Sequence, residues 1–273
     1  MGDGQTPPER REHFEIEREL AARLRNAPSK QERRRLYGQV YRERSERIES
    51  HPLVRQAADP PARAEAVRPQ AALLRRFVDG ETRFCEVGAG DGAVALELAP
   101  LVRGSLALDV TDALALPDDE GLGFRFRVFD GVDIGLPEAS VDVAYSHDVV
   151  EHLHPEDFAD HARSIRRCLR PGGVYVCVTP NRLSGPHDVS AHFSDVPQGF
   201  HLREYTVTEL AAALSAAGFR RVRAVLSARG RVLGPLLPAG LLAPVEAVLG
   251  ALPGPLRRRL ARALAAVKVV AEK

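Results

Sequence analysis

From about residue 71 the apolar positions of this chain change period repeatedly. "AALLRRFV" has helical spacing, and "RFCEVGAG" is a short apolar run that ends in a glycine turn. "AVALELAPLV" is helical again, while "GSLALDV" and "FRFRVFD" read as strands. "VDVAYSHD" predicts a further strand, "EDFADHARSIRRCLR" an amphipathic helix and "GGVYVCVTP" another strand. Alternation of this kind predicts an α/β fold, with a mostly parallel sheet covered on both faces. Ligands of such sheets sit at the carboxyl ends of the strands, near the point where strand order reverses. The chemically interesting residues fall at those ends.

The two flanks read differently. "EIERELAARLRNA" and "SKQERRRLYGQVYRERSERIES" predict two charged helices broken at Pro28, with Ser29 as an N-cap. They read as solvated helices lying across a core, and "HPLVRQAADPPARAEAVRP" as a linker, so residues 1–70 form a helical cap ahead of a domain over 71–273. Near the other end, "REYTVTELAAALSAAGFRRVRAVLSA" predicts a helix capped by Thr208 and ended by Gly218, followed by a strand; "AVKVVAEK" supplies the last strand. Between them, residues 228–264 are an apolar insert. Val232 to Pro253 carries one charge, Glu246, and is broken by Pro235, Pro238 and Pro244, which argues against a straight membrane-spanning helix. The insert reads as a cap over the cleft or against the first helices. The other reading is a peripheral membrane contact through 232–262, with Arg257 to Arg259 meeting anionic headgroups.

Composition narrows the class. The chain has 273 residues, 44% hydrophobic and 27% charged, which is globular rather than disordered. A formal charge of +1 gives no reason to expect nucleic acid as a partner. Cys85, Cys168 and Cys177 lie in apolar segments without CxxC spacing, and the N-terminus lacks an apolar leader; a reduced, cytoplasmic protein is the expectation. Oligomeric state is not legible.

The glycine turn "CEVGAGDG" departs from GxGxxG, because Ala93 occupies the last position and the glycines are Gly88, Gly90 and Gly92. Glu86 stands inside the turn, where a carboxylate repels a pyrophosphate and suits an ammonium group. Asp109 ends the next strand, seventeen residues after Gly92, where an acid can accept both hydroxyls of a ribose. Asp130 and Gly131 end the third strand, where an adenine amino group could be held. Together these describe an adenosine with a cationic tail and no pyrophosphate. For Gly92 and Asp130 a plain helix start and a plain turn remain alternatives.

With "LALDVTD", "FDGVDIGLP", "VDVAYSHDVVEHL" and "LRPGGVYVCVTPN" following in order, residues 70–226 resemble class I S-adenosylmethionine-dependent methyltransferases. The resemblance implies a Rossmann-like, doubly wound, seven-stranded sheet and S-adenosyl-L-methionine as cofactor. It implies Glu86, Gly88, Ala89, Gly90 and Gly92 at the methionine end, Asp109 and Val110 at the ribose, and Asp130 and Gly131 at adenine. Ser146 and His147 would floor the methyl sulfonium.

Methyl transfer is an in-line displacement that needs alignment and, for a hydroxyl, a base. His152, with Glu151, is the candidate catalytic residue. Asp148, Glu151 and His152 have i, i+3, i+4 spacing, which on a helix shares one face, and His201 could complete a metal set. This resembles the acid-xx-Glu-His pattern of ubiquinone-pathway O-methyltransferases and small-RNA 2′-O-methyltransferases, which implies a divalent cation such as Mg²⁺; Asp148 stands where Glu is usual there. The alternative is that "EHL" only fixes the loop, with His152 bonded to backbone. His154, His161, His187 and His192 read as exposed or satisfied, the last two flanking the loop where a substrate could touch them. The sequence thus predicts methyl transfer to a small, hydrophobic or lipid-like molecule, at oxygen. RNA 2′-O-methylation and noncatalytic cofactor binding are the alternatives.

Overall fold

A computed structural model describes residues 5–228 and 231–273, so residues 1–4 of the predicted cap and 229–230 of the predicted insert lie outside the described residues. Four helices open the chain: α1 (Pro7–Arg25), α2 (Lys30–Arg47), α3 (Pro52–Ala58) and α4 (Pro60–Leu74). α1 begins earlier than its apolar pattern announces, because Thr6 and Glu9 form a reciprocal capping box ahead of it. Ser29 caps α2 as expected, accepting from the Glu32 N–H. The expected linker is helical instead: His51 and Asp59 cap α3 and α4, and prolines occupy the first turns, where a missing N–H costs nothing.

The strands are β1 (Arg83–Val87), β2 (Gly104–Asp109), β3 (Phe124–Val128), β4 (Val141–His147), β5 (Leu169–Pro180) and β6 (Arg220–Ala224). The short β7 (Ser227–Ala228), β8 (Arg231–Val232) and β9 (Leu237–Pro238) follow, and β10 (Ala266–Glu272) closes the chain. α5 (Ala93–Leu98), α6 (Pro155–Cys168) and α7 (Val207–Ala216) connect the strands, and the insert contributes α8 (Ala243–Gly250) and α9 (Gly254–Ala261). The main sheet has eight strands in the order β3-β2-β1-β4-β5-β10-β6-β9, not seven. β10 runs antiparallel between β5 and β6, and β9 adds a two-residue edge contributed by the insert. Strand order reverses between β1 and β4, and the crevice at their carboxyl ends opens there.

Period-two alternation assigns the two faces. Phe84, Val143, Tyr145 and Val176 pack with α4 and α5, while Cys85, Ala144, Tyr175 and Cys177 pack with α6 and α7. The second face also takes Leu20, Leu24, Tyr37 and Val40 from α1 and α2, so the charged helices share the main core. Their charge is spent on specific pairs. Arg33 of α2 meets Asp157 of α6 at 2.8 and 3.1 Å, and Tyr37 donates to the same carboxylate at 3.0 Å. Both charges are buried. Asp157→Ala would leave that guanidinium inside with only the exposed Glu156, so chemical denaturation should show a loss of about 3 kcal/mol. A loss under about 1 kcal/mol would contradict this account of how the cap is fastened.

α7 is capped by Thr206, not Thr208: Thr206 and Glu209 form a second capping box, and Thr208 lies inside the first turn. Thr208 binds Glu246 of α8, whose carboxylate also accepts the N–H groups of Val207 and Thr208. The insert's one acid is thereby buried at the N-terminus of α7. The insert packs along α7 and β6, away from the crevice. No described helix is long and apolar enough to cross a membrane.

Candidate active site

A cavity of about 730 Å³ opens at the β1/β4 crevice, walled on one side by the glycine turn and on the other by α1 and α2. Gly88, Gly90 and Gly92 all have positive φ, at 72°, 59° and 82°. A Cβ on Gly88 would lie 2.2 Å from Val149 Cγ2, whereas one on Gly90 would meet nothing within 4 Å. Gly88→Ala should therefore push Val149 into the cavity and destabilise the fold by about 1–3 kcal/mol; an unchanged melting temperature would refute the tight approach.

Glu86, Gly88, Ala89 and Gly90 line this cavity, as do Asp109, Val110, Gly131 and His147. Glu86 is buried, which pushes its carboxyl up to about 8, and Oε2 accepts the Ala95 N–H at 2.9 Å. Asp109 is pushed up to about 6 by burial, against which the N–H groups of Gly90 and Thr111 pull at 2.8 and 3.2 Å.

Three expected cofactor residues stand elsewhere. Gly92 caps α5 and faces Phe124 and Ala107, so it is a packing glycine. Asp130 Oδ1 accepts the Val132 and Asp133 N–H groups, and Oδ2 lies 3.6 Å from Arg34, which makes it a turn residue tied to α2. Ser146 is on the α6/α7 face of β4, its hydroxyl 2.6 Å from that of Tyr175, away from the cavity wall.

The acceptor side of the cavity carries Glu151, His152 and His201, whose ligand atoms lie within 4.8 Å of one another. Residues 150–152 form a 3₁₀ turn, and Asp148 before it has a φ of 53°, so the helical spacing that would align Asp148, Glu151 and His152 does not exist. Asp148 turns outward beside His147, outside the convergent set, though it still lines the cavity. The other three are oriented from behind. His152 Nδ1 is 3.0 Å from the Phe200 carbonyl, which accepts its proton and leaves Nε2 with a lone pair. His201 Nδ1 is 2.7 Å from Glu204 Oε1. Thr179 donates to Glu151 Oε2 at 2.8 Å, while the buried Oε1 has no hydrogen-bond partner among the described residues. Arg25 of α1 fixes the loop by donating to the carbonyls of Gln198, Gly199 and His201.

Charge in this pocket is poorly solvated. Burial, then the Asp148 charge, pushes Glu151 up to about 8, and burial pushes His152 down to about 3. Burial also opposes a charge on His201, but the Glu204 hydrogen bond and the Glu151 charge outweigh it and hold the ring at about 9. A pocket that keeps a proton on His201 between two carboxylates and a lone pair on His152 Nε2 fits a divalent cation that displaces that proton.

His13, Glu17 and His51 form a second convergent set in the same cavity, contributed by the cap and not anticipated from the sequence. Here the orientation differs. His51 Nδ1 accepts the Leu53 N–H at 3.1 Å, so Nε2 carries the proton and faces Glu17 Oε1 at 3.7 Å. That ring donates and does not ligate; the second set is a carboxylate held by imidazoles. Tyr41 and Arg44, also missed, stand beside it in the wall. Of the other histidines, His154 caps α6 and His161 binds the Gly131 carbonyl, whereas His187 and His192 line the cavity.

The profile of a family described as a methyltransferase domain matches residues 18–224. A Mycolicibacterium smegmatis protein named "Probable S-adenosylmethionine-dependent methyltransferase" is 36% identical over 140 residues, covering 49% of this chain and 50% of its own. A ubiquinone biosynthesis O-methyltransferase of Cereibacter sphaeroides is 30% identical over 110 residues, 37% of this chain and 42% of its own. The chain thus spans about half the length, or less, of the curated relatives it matches. Among solved structures, the YcgJ protein of Bacillus subtilis superposes with a TM-score of 0.53 at 18% identity, over 76% of this chain and 98% of its own. The [4+2]-cyclase SpnF does so with a TM-score of 0.53 at 20% identity, over 90% and 97%.

Proposed function

The chain belongs to the methyltransferase-domain family of class I, S-adenosylmethionine-dependent proteins, and on that premise we propose that it methylates an oxygen of a small molecule with a divalent cation held by Glu151, His152 and His201. The observation that carries the oxygen reading is the convergence of those three ligand atoms, each oriented from behind, beside the cavity that the glycine turn also lines.

S-adenosylmethionine supplies an electrophilic methyl on a sulfonium. Asp109, at the carboxyl end of β2, is positioned to accept ribose hydroxyls, while the positive φ of Gly88 and Gly90 gives room for the methionine end, with Glu86 lining the cavity beside them. The cation would bind acceptor oxygens and lower a hydroxyl's pKa. His152, pushed to about 3, is a weak base for that proton and suits a ligand better. Residues of α1 and α2 complete the wall of the cavity.

The expectation of a greasy acceptor rested on the insert, and no described insert residue lines the cavity. Glu17, Arg44 and several imidazoles line it instead, which supports an acceptor with polar groups. A test is S-adenosylhomocysteine release with catechol as acceptor, with Mg²⁺ and after chelation. Metal-dependent release is expected; release that chelation leaves unchanged would refute the cation's role. Cofactor binding with no turnover across a panel of catechols would favour a noncatalytic role, in line with a fold that the cyclase SpnF shares.

A further inference from the structure

Arg44 of α2 is 8% exposed, yet none of its guanidinium nitrogens makes a hydrogen bond or ion pair among the described residues. The group lies over the Tyr41 ring at 4.8 Å and the Phe200 ring at 5.7 Å. Its neighbours of opposite sign are already engaged. Glu17 faces His13 and His51 at 3.1 and 3.7 Å, and Asp109 accepts two backbone N–H groups. A buried guanidinium brings five donors in a fixed fork, and leaving them unspent is costly unless a ligand takes them. Arg44 also lines the cavity, on the face that carries His152: Tyr41, beneath its guanidinium, meets the His152 ring edge-on at 5.9 Å.

We propose that Arg44 is the anion-recognition residue of the acceptor site, so that the molecule methylated carries a carboxylate next to its reacting hydroxyl. The planar fork matches a carboxylate bidentately, and the rings of Tyr41 and Phe200, stacked on each other at 4.9 Å, hold that fork in place at the cavity wall. This rests on the methyltransferase reading for the word acceptor, but anion binding itself does not. The methionine carboxylate of the cofactor is the other possible source of the same chemistry.

The test separates them. Benzoate and its neutral counterpart benzamide are titrated by ligand-observed NMR into protein saturated with S-adenosylhomocysteine, for wild type and Arg44→Gln. Benzoate binding at least tenfold tighter than benzamide, with the difference lost in Arg44→Gln, supports the proposal. Equal binding, no benzoate binding, or a difference that survives the substitution overturns it. If Arg44→Gln instead weakens S-adenosylhomocysteine tenfold or more and leaves benzoate unaffected, the anion is the cofactor's and the proposal falls. Benzoate binding through Arg44 in a protein that methylates neither catechol nor a hydroxybenzoate with adjacent hydroxyl and carboxylate would keep the anion site and sink the oxygen reading.

A separate observation carries a second proposal. On the insert, Leu241, Val245, Val248, Leu256 and Leu260 are all exposed, Val248 by 66%. The segment's one acid, Glu246, is buried, while Arg259 and Arg262 are exposed beside the apolar side chains. A face that is aliphatic, edged by arginine and without an exposed acid of its own segment is complementary to an anionic lipid surface. Arg258 also binds Asp195 at 2.8 Å, which joins this face to the loop that follows the cavity-lining His192. We infer that this face of α8 and α9 rests on an anionic bilayer. Wild type should sediment with phosphatidylglycerol vesicles and not with phosphatidylcholine ones. Leu241→Asp combined with Val248→Asp should abolish sedimentation with an unchanged melting temperature. No sedimentation of wild type, or self-association through this face that the pair of substitutions disrupts, would overturn it.

Discussion

Asp109→Ala should weaken S-adenosylmethionine binding by about 100-fold. The carboxylate sits at the carboxyl end of β2, in the cavity wall, and its two oxygens are the acceptors the cavity offers to a pair of vicinal ribose hydroxyls. A hydrogen bond to a charged group contributes about 1.5–3 kcal/mol, so losing the pair corresponds to two decades of affinity or more. The substitution also releases the Gly90 and Thr111 N–H groups that Asp109 now holds at 2.8 and 3.2 Å, which loosens the turn beneath the cofactor. Asp109→Asn keeps one acceptor and should fall between. Calorimetric titration of S-adenosylhomocysteine checks both; an Asp109→Ala protein that binds within threefold of wild type would remove the ribose assignment.

His152→Ala should do the reverse, leaving the cofactor's affinity within about twofold while metal binding disappears and turnover falls by about 10²–10⁴. The ring belongs to the acceptor wall: it meets His201 at 4.9 Å between centroids and is oriented by the Phe200 carbonyl. Removing a preoriented ligand from a set of three protein donors leaves Glu151 and His201 to hold the cation alone. Manganese titration followed by paramagnetic resonance gives the metal readout, and S-adenosylhomocysteine release gives turnover. Full metal affinity in the variant would mean that "EHL" only shapes the loop.

How far the sequence carries depends on range. Apolar runs placed β1, β4, β5 and β10, because both faces of those strands are buried and composition must follow. The glycine turn, Asp109 and the Glu151–His152 pair were legible because each is a local motif at a strand end. Asp130, Ser146 and Asp148 fit the same local logic and were decided by something else: an Asx turn fastened to Arg34, the direction of a pleat, and a left-handed residue that breaks helical spacing. The cap was read as solvated because its residues are mostly charged. Arg33, Arg44, His13 and Glu17 look like surface in a charged helix, and only packing against α6 and the 187–201 loop buries them. Nothing local marks a buried arginine. His51 and the two short helices after it were hidden by prolines that read as linker but sit in first turns. The insert's apolarity was correctly seen, while its position, beside α7 and away from the crevice, follows from Glu246 capping α7 across some forty residues of sequence.

The most direct test of the account is calorimetric titration of S-adenosylmethionine and S-adenosylhomocysteine into chelated protein, followed by Mg²⁺ or Mn²⁺ into the loaded protein. The account predicts cofactor binding without metal, then one further divalent site that His152→Ala removes. Failure of both cofactors to bind would contradict it at its root, since the cavity at the β1/β4 crevice would then serve some other ligand.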